Sequence, residues 1–301
     1  MHVDPRDLST CEALLRRGSK SFAAAARLLP PRVRAPTTVL YAFCRVADDA
    51  IDAGTGAPAA ALEALRASLD RAYADAPADD PVERALAALV RDHALPRAPL
   101  DALLDGFAWD AARRPCETPD DLHAYAARVA AAVGVAMTWL MGVRDFHVLA
   151  RACDLGIAMQ LTNVARDVGE DARAGRLYLP HAWMREEGLE PDDFVARPAP
   201  GPALGRVVER VLAEADRLYW RADRGIAWLP RDCRPAVRAA RLCYARIGAK
   251  LRDRGCDSVT VRAVVPAHEK AALLARACAA AWQTRAACDF PALPAARFLI
   301  A

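Results

Sequence analysis

Acidic side chains recur at helical spacing in the stretch YAFCRVADDAID. One helical face, at steps of four, three and four residues, carries Tyr41, Arg45, Asp48 and Asp52. Asp49 lies one step off that face. A lone pair of acids at this spacing is often only the solvated end of a helix. Here the other faces of the same helix are apolar, so we expect these carboxylates to line a cavity.

A second stretch, MQLTNVARDVGEDARAGRLYLP, repeats the pattern further along the chain. Its steps of three, four and four residues bring to one face Gln160, Asn163, Asp167 and Asp171. Arg166 lies beside this face. Two acid-bearing stripes on two largely apolar helices are harder to explain as solvated surface than one stripe.

If the two stripes face each other, four carboxylates share one space. Like charges 4 Å apart repel by roughly 1 kcal/mol in water and by about 4 kcal/mol at an effective dielectric constant of 20. A cation must offset this repulsion, and oxygen ligands without Cys or His nearby suit Mg²⁺, which bridges carboxylates to phosphates. Arg45 and Arg166 are candidates to clamp those phosphates. The alternative for each arginine is an ion pair with a neighbouring aspartate.

The composition indicates what kind of fold must position these residues. The chain of 301 residues is 54% hydrophobic, rich in alanine and leucine and poor in glycine, without strictly alternating β-branched runs. We therefore predict an all-α protein, with residues 1–301 forming a single domain. The formal charge of +3 is small and the arginines are spread along the chain, so no nucleic-acid partner is expected.

Prolines and short polar clusters separate segments of helical length. We predict helices at residues 5–17, 19–28, 36–53, 59–74, 82–93, 98–112, 119–142, 146–171, 203–228, 233–253 and 266–286. The longest uncharged run, Val129 to Val143, has 15 residues. A bilayer-spanning helix needs roughly 20, so we expect this run to be a buried helix.

The cysteines indicate the compartment. The nine cysteines form no CxxC pair and no Cys/His grouping with zinc spacing, which is typical of reduced thiols in a cytosolic protein. The first residues, MHVDPRDLST, carry acids and no apolar core, so no secretory signal is expected. We predict a cytoplasmic protein.

Four stretches together resemble the squalene/phytoene synthase family. They are GSKSF at 18–22, YAFCRVADDAID at 41–52, YAARVAAAVGVAM at 125–137 and QLTNVARDVGEDARAGRLYLP at 160–180. The resemblance extends from about residue 11 to residue 285. It implies a single isoprenoid-synthase helical bundle around a central apolar cavity. It also implies head-to-head condensation of two prenyl diphosphates through a cyclopropylcarbinyl diphosphate intermediate.

The resemblance also assigns residues, position by position. The implied ligands of Mg²⁺, or of Mn²⁺ in its place, are Asp48, Asp52, Asn163, Asp167 and Asp171. These aspartates, with Arg45 and Tyr41, are the implied catalytic residues. The implied substrate contacts are Ser19, Ser21, Phe22, Arg45, Gln160, Asn163, Arg166, Tyr244 and Arg262. The sequence departs from the family at Arg17, where many relatives carry histidine.

The chemistry requires a dry apolar tunnel. Metal and arginine stabilise the departing diphosphate, and the double bond of the second substrate attacks the allylic cation before water does. We expect the run Val129 to Val143 to form one wall of this tunnel. The small side chains of Ala26 and Thr38 are expected to leave the tunnel open at depth. That favours two C20 geranylgeranyl diphosphates and the C40 product phytoene, released through peripheral contact with a membrane.

Several alternatives stay open. A C30 relative would join two farnesyl diphosphates to squalene, dehydrosqualene or presqualene diphosphate. No Gly-rich dinucleotide fingerprint is present, so no nicotinamide cofactor is expected, although reducing members of the family lack that motif too. Terpene cyclases and chain-elongating synthases are disfavoured because the second motif reads DVGED. A non-catalytic homologue acting as a scaffold would typically lose the aspartates, which are present here.

Overall fold

The computed structural model describes residues 1–18, 26–52, 58–279, 285 and 287–300, and for Asp52 only the backbone. These residues form helices, turns and loops, with no strand among them, as predicted. The α-helices are α1 Pro5–Gly18, α2 Pro31–Asp52, α3 Pro58–Tyr73, α4 Pro81–His93, α5 Ala98–Ala111, α6 Pro119–Ala126, α7 Ala132–Leu140, α8 Phe146–Arg173, α9 His181–Glu186, α10 Pro191–Ala196, α11 Pro202–Ile226, α12 Arg234–Arg252 and α13 Ala267–Ala279. A π-helical turn, Ala127–Ala131, joins α6 to α7, and a 3₁₀ helix spans Pro294–Leu299. None of the helices described here is both long and apolar enough to cross a membrane.

Helix starts follow local sequence signals. The Asp80 carboxylate accepts hydrogen bonds from the backbone N–H groups of Val82 and Glu83, both at 2.9 Å, and so caps α4. Asp145 caps α8 in the same way, accepting from the N–H of Val148 at 3.0 Å. Proline at the first helical position, where its missing N–H costs nothing, opens α4 among others.

Helix α8 lies at the centre of the fold. Its apolar side, including Ile157, Leu161 and Ala165, is buried in the largest core cluster. Helix α11 packs along it, and the hydroxyls of Thr162 and Tyr219 form a buried hydrogen bond of 2.8 Å between the two helices. Burial of one side of α8 leaves its polar stripe on the opposite side.

A glycine allows α8 to approach the π-helical turn. A Cβ atom on Gly156 would lie 2.7 Å from the carbonyl oxygen of Ala130 and 2.6 Å from the Cα of Ala131. Only glycine fits at that distance. The helix predicted for residues 119–142 is helical from Pro119 to Leu140, but the π turn within it was not predicted.

Other helix boundaries also differ from the prediction. Helix α2 begins at Pro31, not at residue 36, and continues as helix through Pro36. Of the predicted helix 266–286, Ala267–Ala279 is helical, Arg285 is not, and residues 280–284 and 286 lie outside the described residues. Most of the predicted helix 19–28 lies outside the described residues. The short helices α9 and α10 were not predicted, since six residues carry little periodicity.

A buried ion pair holds the C-terminal segment against α8. Arg151 and Asp154 are almost wholly buried, with 2.6 Å between the Arg151 Nε and the Asp154 Oδ2. The Arg151 guanidinium donates to the carbonyl oxygens of Cys288 at 3.0 Å and Phe290 at 2.9 Å. Arg221 of α11 bonds Asp154 at 2.9 Å. The segment after residue 287 is thereby tied to both central helices.

Candidate active site

A cavity of about 290 Å³ lies between α2, α5, α8 and the helical run from α6 to α7. Its lining comprises Tyr41, Cys44, Arg45, Asp48, Leu103, Phe107, Asp110, Tyr125, Val129, Val133 and Gln160. The lining therefore combines apolar and aromatic residues with polar residues from both predicted stripes. Val129 and Val133 come from the run that was expected to form a tunnel wall.

The first stripe enters the cavity through Tyr41, Arg45 and Asp48. The Arg45 Nη1 donates to Asp48 at 3.2 Å, and its Nε donates to Asp49 at 3.0 Å. Asp49, which lies off the predicted face, thus holds the guanidinium of Arg45. Burial raises the pKa of the Tyr41 hydroxyl, so this group stays protonated. In this structure Arg45 forms the ion pairs that were the alternative to a phosphate contact.

The second stripe begins at the cavity with Gln160 and continues along α8. The Asn163 Nδ2 donates to the Gln160 Oε1 at 3.3 Å. The Asn163 Oδ1 is buried and accepts no hydrogen bond from any described residue. Asp167 and Asp171 follow one and two turns later.

Asp167 is held by two arginines. Arg166 donates to its carboxylate through Nε at 2.7 Å, and Arg262 donates through Nε at 2.8 Å and Nη2 at 3.1 Å. Burial raises the pKa of Asp167, but the two guanidinium groups outweigh burial and bring it below the usual value. Arg262 comes from the loop after α12, so the structure brings this sequence-predicted residue to the second stripe.

Asp171 has the opposite electrostatic environment. Burial raises its pKa to about 7, and repulsion from Asp167 and Glu170 adds to the effect. Arg176 opposes the shift without cancelling it. The surroundings of Asp171, at the C-terminal part of the second stripe, therefore disfavour its charged form.

The donor set fits a hard cation. Among the described residues no three His, Cys, Asp or Glu side chains stand close enough to bind a metal ion together. The buried Asn163 Oδ1 and the poorly balanced carboxylate of Asp171 are nevertheless oxygen ligands of the type that Mg²⁺ prefers. Binding would require Asp167 to exchange arginine for metal. For Asp52 the structure describes only the backbone.

Sequence reasoning missed the second of the two acidic residues that line the cavity. Asp110 of α5 accepts hydrogen bonds from the Tyr178 hydroxyl at 2.7 Å and from the Tyr125 hydroxyl at 3.2 Å. The two tyrosine rings stack with 4.9 Å between centroids. Asp110 also contributes to the raised pKa of Asp171, so it connects the cavity to the second stripe. Tyr125 lies in a stretch that carried the resemblance, but nothing in its local spacing marked it.

Some predicted residues lie elsewhere. Ser19, Ser21 and Phe22 fall outside the described residues. Gly18, which precedes them, lies so close to Tyr41 that an added Cβ atom would touch the tyrosine side chain. Tyr244 packs against the main core cluster and does not line the cavity. Ala26 and Thr38 are buried, with exposed fractions of 5% and 4%, and neither is among the cavity-lining residues.

An all-α bundle with acid-bearing stripes on two helices, meeting at a partly apolar cavity, is the architecture of an isoprenoid synthase. Comparison with known proteins agrees. The sequence model of the squalene/phytoene synthase family matches residues 15–269. A phytoene synthase of Rhodobacter capsulatus is 52% identical over 281 residues, which cover 92% of this chain and 83% of that protein. A phytoene synthase of Cereibacter sphaeroides is 51% identical over 273 residues, covering 88% and 77%.

A solved structure supports the same assignment. The crystal structure of a dehydrosqualene synthase in complex with a ligand superposes with a TM-score of 0.82 at 30% identity, covering 90% of this chain and 95% of that one. The chain belongs to the squalene/phytoene synthase family and is a prenyltransferase. The resemblance found in the sequence is thereby confirmed.

Proposed function

We propose that this enzyme condenses two molecules of geranylgeranyl diphosphate head to head, through a cyclopropylcarbinyl diphosphate, to phytoene, as a step of carotenoid biosynthesis. The observation that carries this proposal is the cavity in which Arg45 and Asp48 from α2 and Gln160 from α8 meet an apolar wall. A diphosphate binds at the polar end and its prenyl chain at the apolar end. The names of the relatives at 52% and 51% identity support the C20 substrate.

The proposed metal site uses the oxygen ligands of both stripes. Mg²⁺, or Mn²⁺ in its place, would be held by Asp48, Asp52, Asn163, Asp167 and Asp171. When bound, the metal supplies Lewis-acid stabilisation of the leaving diphosphate. Asp171 contributes charge that the described protein groups leave poorly balanced, and Asn163 contributes the carbonyl oxygen that lacks a donor among the described residues.

The arginines are the proposed diphosphate contacts. Arg45, Arg166 and Arg262 donate hydrogen bonds to aspartates of the two stripes. When a cation takes those carboxylates, the guanidinium groups become available to donate to phosphate oxygens. These preorganised donors then stabilise the negative charge that develops on the diphosphate as the allylic C–O bond breaks.

The apolar wall protects the cation. Phe107, Val129 and Val133 exclude water from the space next to the reacting carbons. Tyr41 and Tyr125 are aromatic residues of the lining, and an aromatic ring can stabilise positive charge by roughly 1 to 2 kcal/mol when desolvated. The Asp110 carboxylate, hydrogen-bonded to Tyr125, increases the negative potential in the cavity.

A second candidate uses farnesyl diphosphate and makes a C30 product. It is favoured by the dehydrosqualene synthase that superposes with a TM-score of 0.82. For either product we propose that residues 1–301 act as a single domain in the cytoplasm, without a nicotinamide cofactor. The product is a water-insoluble hydrocarbon, which supports peripheral contact with a membrane at release.

The test is product identification. Purified enzyme with Mg²⁺ receives either the C15 or the C20 diphosphate, and the hydrocarbon is identified by mass. Phytoene from the C20 substrate supports the proposal, and a C30 product alone selects the second candidate. No C30 or C40 condensation product from either substrate, presqualene diphosphate included, overturns both. A thermal-shift measurement with Mg²⁺ and a non-hydrolysable prenyl diphosphate checks the shared site: the joint shift should exceed the sum of the separate shifts. A ligand at 100 times its dissociation constant stabilises by about 2.7 kcal/mol.

A further inference from the structure

Two exposed tryptophans lie near the end of α11, Trp220 within the helix and Trp228 two residues after it. Trp220 is 52% exposed and Trp228 is 37% exposed, whereas an apolar ring of this size is normally buried. Arg224 lies over the Trp220 ring, 4.4 Å from its centroid, and Arg285 lies over the Trp228 ring at 4.7 Å. We call Trp220, Arg224, Trp228, Arg231 and Arg285 the Trp–Arg face.

The charge of this face is positive. Two nearby acids are engaged by arginines outside it, Asp223 by Arg241 at 2.8 Å and Asp232 by Arg32 at 2.7 Å. Within the described part of the chain, no carboxylate lies within salt-bridge distance of Arg224 or Arg285. Burial and repulsion from Arg285 and Arg231 lower the pKa of the neighbouring Arg234, which shows that these guanidinium charges are close together.

Apolar packing connects this face with the cavity. Val133 lines the cavity, and Met137, one turn later on α7, packs against a small cluster that contains Met141 and Leu229. Leu229 follows Trp228 directly in the chain. The Trp–Arg face also lies beside the N-terminal half of α8, because Arg221 of α11 bonds Asp154. At 1.5 Å per residue, Asp154 is about 20 Å along α8 from Asp167.

We infer that the Trp–Arg face is the surface with which this enzyme docks on an anionic phospholipid bilayer. Tryptophan rings favour the membrane–water interface, where the ring is apolar and the indole N–H stays hydrated. Arginines beside them attract acidic headgroups. The position of the face, beside a part of α8 that is about 20 Å from Asp167 of the second stripe, suits transfer of a hydrocarbon. This inference rests on the proposed function, because release of a hydrocarbon product is the reason for membrane docking. Vesicle binding itself is measured independently of that function.

Vesicle co-sedimentation tests the inference without substrate or metal. The full chain is mixed with vesicles of equimolar phosphatidylglycerol and phosphatidylcholine, and with phosphatidylcholine alone. We expect binding to the anionic vesicles that weakens as salt is added. The double variant Arg224→Gln/Arg285→Gln should bind about 25-fold more weakly, since each arginine near an anionic surface contributes about fivefold. Trp220→Ser/Trp228→Ser should also lose binding.

Matched controls separate this face from general charge and general exposure. Arg206→Gln/Arg210→Gln removes two arginines from the same helix, where they pair with Glu187 and Glu186. Phe298→Ser removes an aromatic ring that is 43% exposed and has Arg128 at 5.2 Å from its centroid. Both control variants should bind the vesicles like the parent.

A second measurement keeps the test decisive if a serine variant fails to fold. Brominated phosphatidylglycerol quenches nearby tryptophans, and Trp220→Phe/Trp228→Phe should remove most of the quenching seen with the parent, which has six tryptophans. Absence of vesicle binding, equal loss in the controls, or unchanged quenching overturns the inference. The inference is also overturned if the parent forms a dimer that Trp220→Ser abolishes and does not bind vesicles, because the face would then bind a second copy of the chain. Turnover measured in detergent tests the proposed function separately, so either can fail alone.

Discussion

Asp167 and Asp171 are one helical turn apart, yet the surrounding protein shifts their pKa values in opposite directions. Arg166 and Arg262 hold the pKa of Asp167 below its usual value, whereas burial and like charge raise the pKa of Asp171 to about 7. The ionised form of Asp171 therefore costs folding free energy when no cation is bound. A carboxylate kept at such a cost is more consistent with ligand binding than with stabilisation of the fold.

Asp171→Asn should stabilise the metal-free protein in a pH-dependent way. The folded-state pKa of about 7 exceeds the ordinary 3.8, so ionisation of Asp171 destabilises the fold increasingly as pH rises between these values and fully above pH 7. The variant should melt a few degrees higher than the parent at pH 8, with a smaller gain at pH 5. Turnover should fall by orders of magnitude. Melting is followed by circular dichroism and turnover by product mass.

Asp48→Asn should likewise abolish turnover while leaving the metal-free melting temperature unchanged or raised. The exposed Asp192→Asn serves as the control for both variants, with no effect on either measurement. Near-normal turnover in Asp48→Asn or Asp171→Asn contradicts the assignment of the two stripes to the metal site.

Asp110→Asn should reduce turnover strongly without unfolding the protein. The amide keeps the shape of the side chain, but it removes a negative charge beside Tyr125 and Tyr178 in the cavity. We expect a drop of at least about 100-fold, typical of the loss of a preorganised electrostatic group. Asp105→Asn, on the same helix but exposed and paired with Arg66, should keep parental turnover. Equal activity of the two variants would leave Asp110 without a catalytic role.

The difference between the predicted and missed site residues has a physical origin. The stripes on α2 and α8 were predictable because each repeats at helical spacing within one stretch of sequence. Asp110, Tyr125 and Tyr178 come from three separate places in the chain, and only tertiary packing brings them together. The resemblance contained the stretch with Tyr125, but spacing alone offered no reason to choose it.

At the scale of elements, helix positions were largely predictable and irregularities were not. Prolines and capping residues such as Asp80 and Asp145 act locally, so their effect is visible in sequence. The π-helical turn depends on the close approach of Gly156 from a different helix. The course of the segment after residue 287 depends on the buried Arg151, which sequence presents as one arginine among many.

Arg151→Met should destabilise the fold substantially. Loss of the guanidinium leaves the carbonyl oxygens of Cys288 and Phe290 without their donor and removes one of two arginines from the buried Asp154. Breaking such a buried pair costs about 3 to 5 kcal/mol. We expect a marked fall in the denaturant midpoint and faster alkylation of the buried Cys288, followed by mass spectrometry.

The matched control is Arg32→Gln, which breaks an exposed ion pair with Asp232. Exposed pairs contribute between zero and about 1 kcal/mol, so this variant should unfold close to the parental midpoint. If Arg151→Met and Arg32→Gln unfold alike, the C-terminal segment is not held by the buried pair.

At the scale of the whole molecule, the size of the cavity bears on the substrate. About 290 Å³ is at the lower end of the range of roughly 300 to 1,000 Å³ for small-molecule sites. The two C20 chains of the proposed reaction need more room, so we expect the tunnel to extend further into the bundle. Helix α2 supplies one candidate: Thr38 lies one turn before the cavity-lining Tyr41. Thr38 is small, buried and bonded to the carbonyl oxygen of Arg34 at 2.9 Å.

Thr38→Trp and Ala26→Phe should shift the product from C40 towards C30. Each large ring would fill space at the depth of the proposed tunnel, and the five carbons that distinguish the substrates would each lose burial of about 0.8 kcal/mol. Thr38→Val, which keeps the volume, should retain the parental ratio. Each variant receives both diphosphates in competition, and the C40 to C30 ratio is measured alongside melting, because overpacking itself costs about 1 to 3 kcal/mol. If the parent makes only C30 product, these two positions do not select a C20 substrate. The same conclusion follows if both variants fold but keep the parental C40 to C30 ratio.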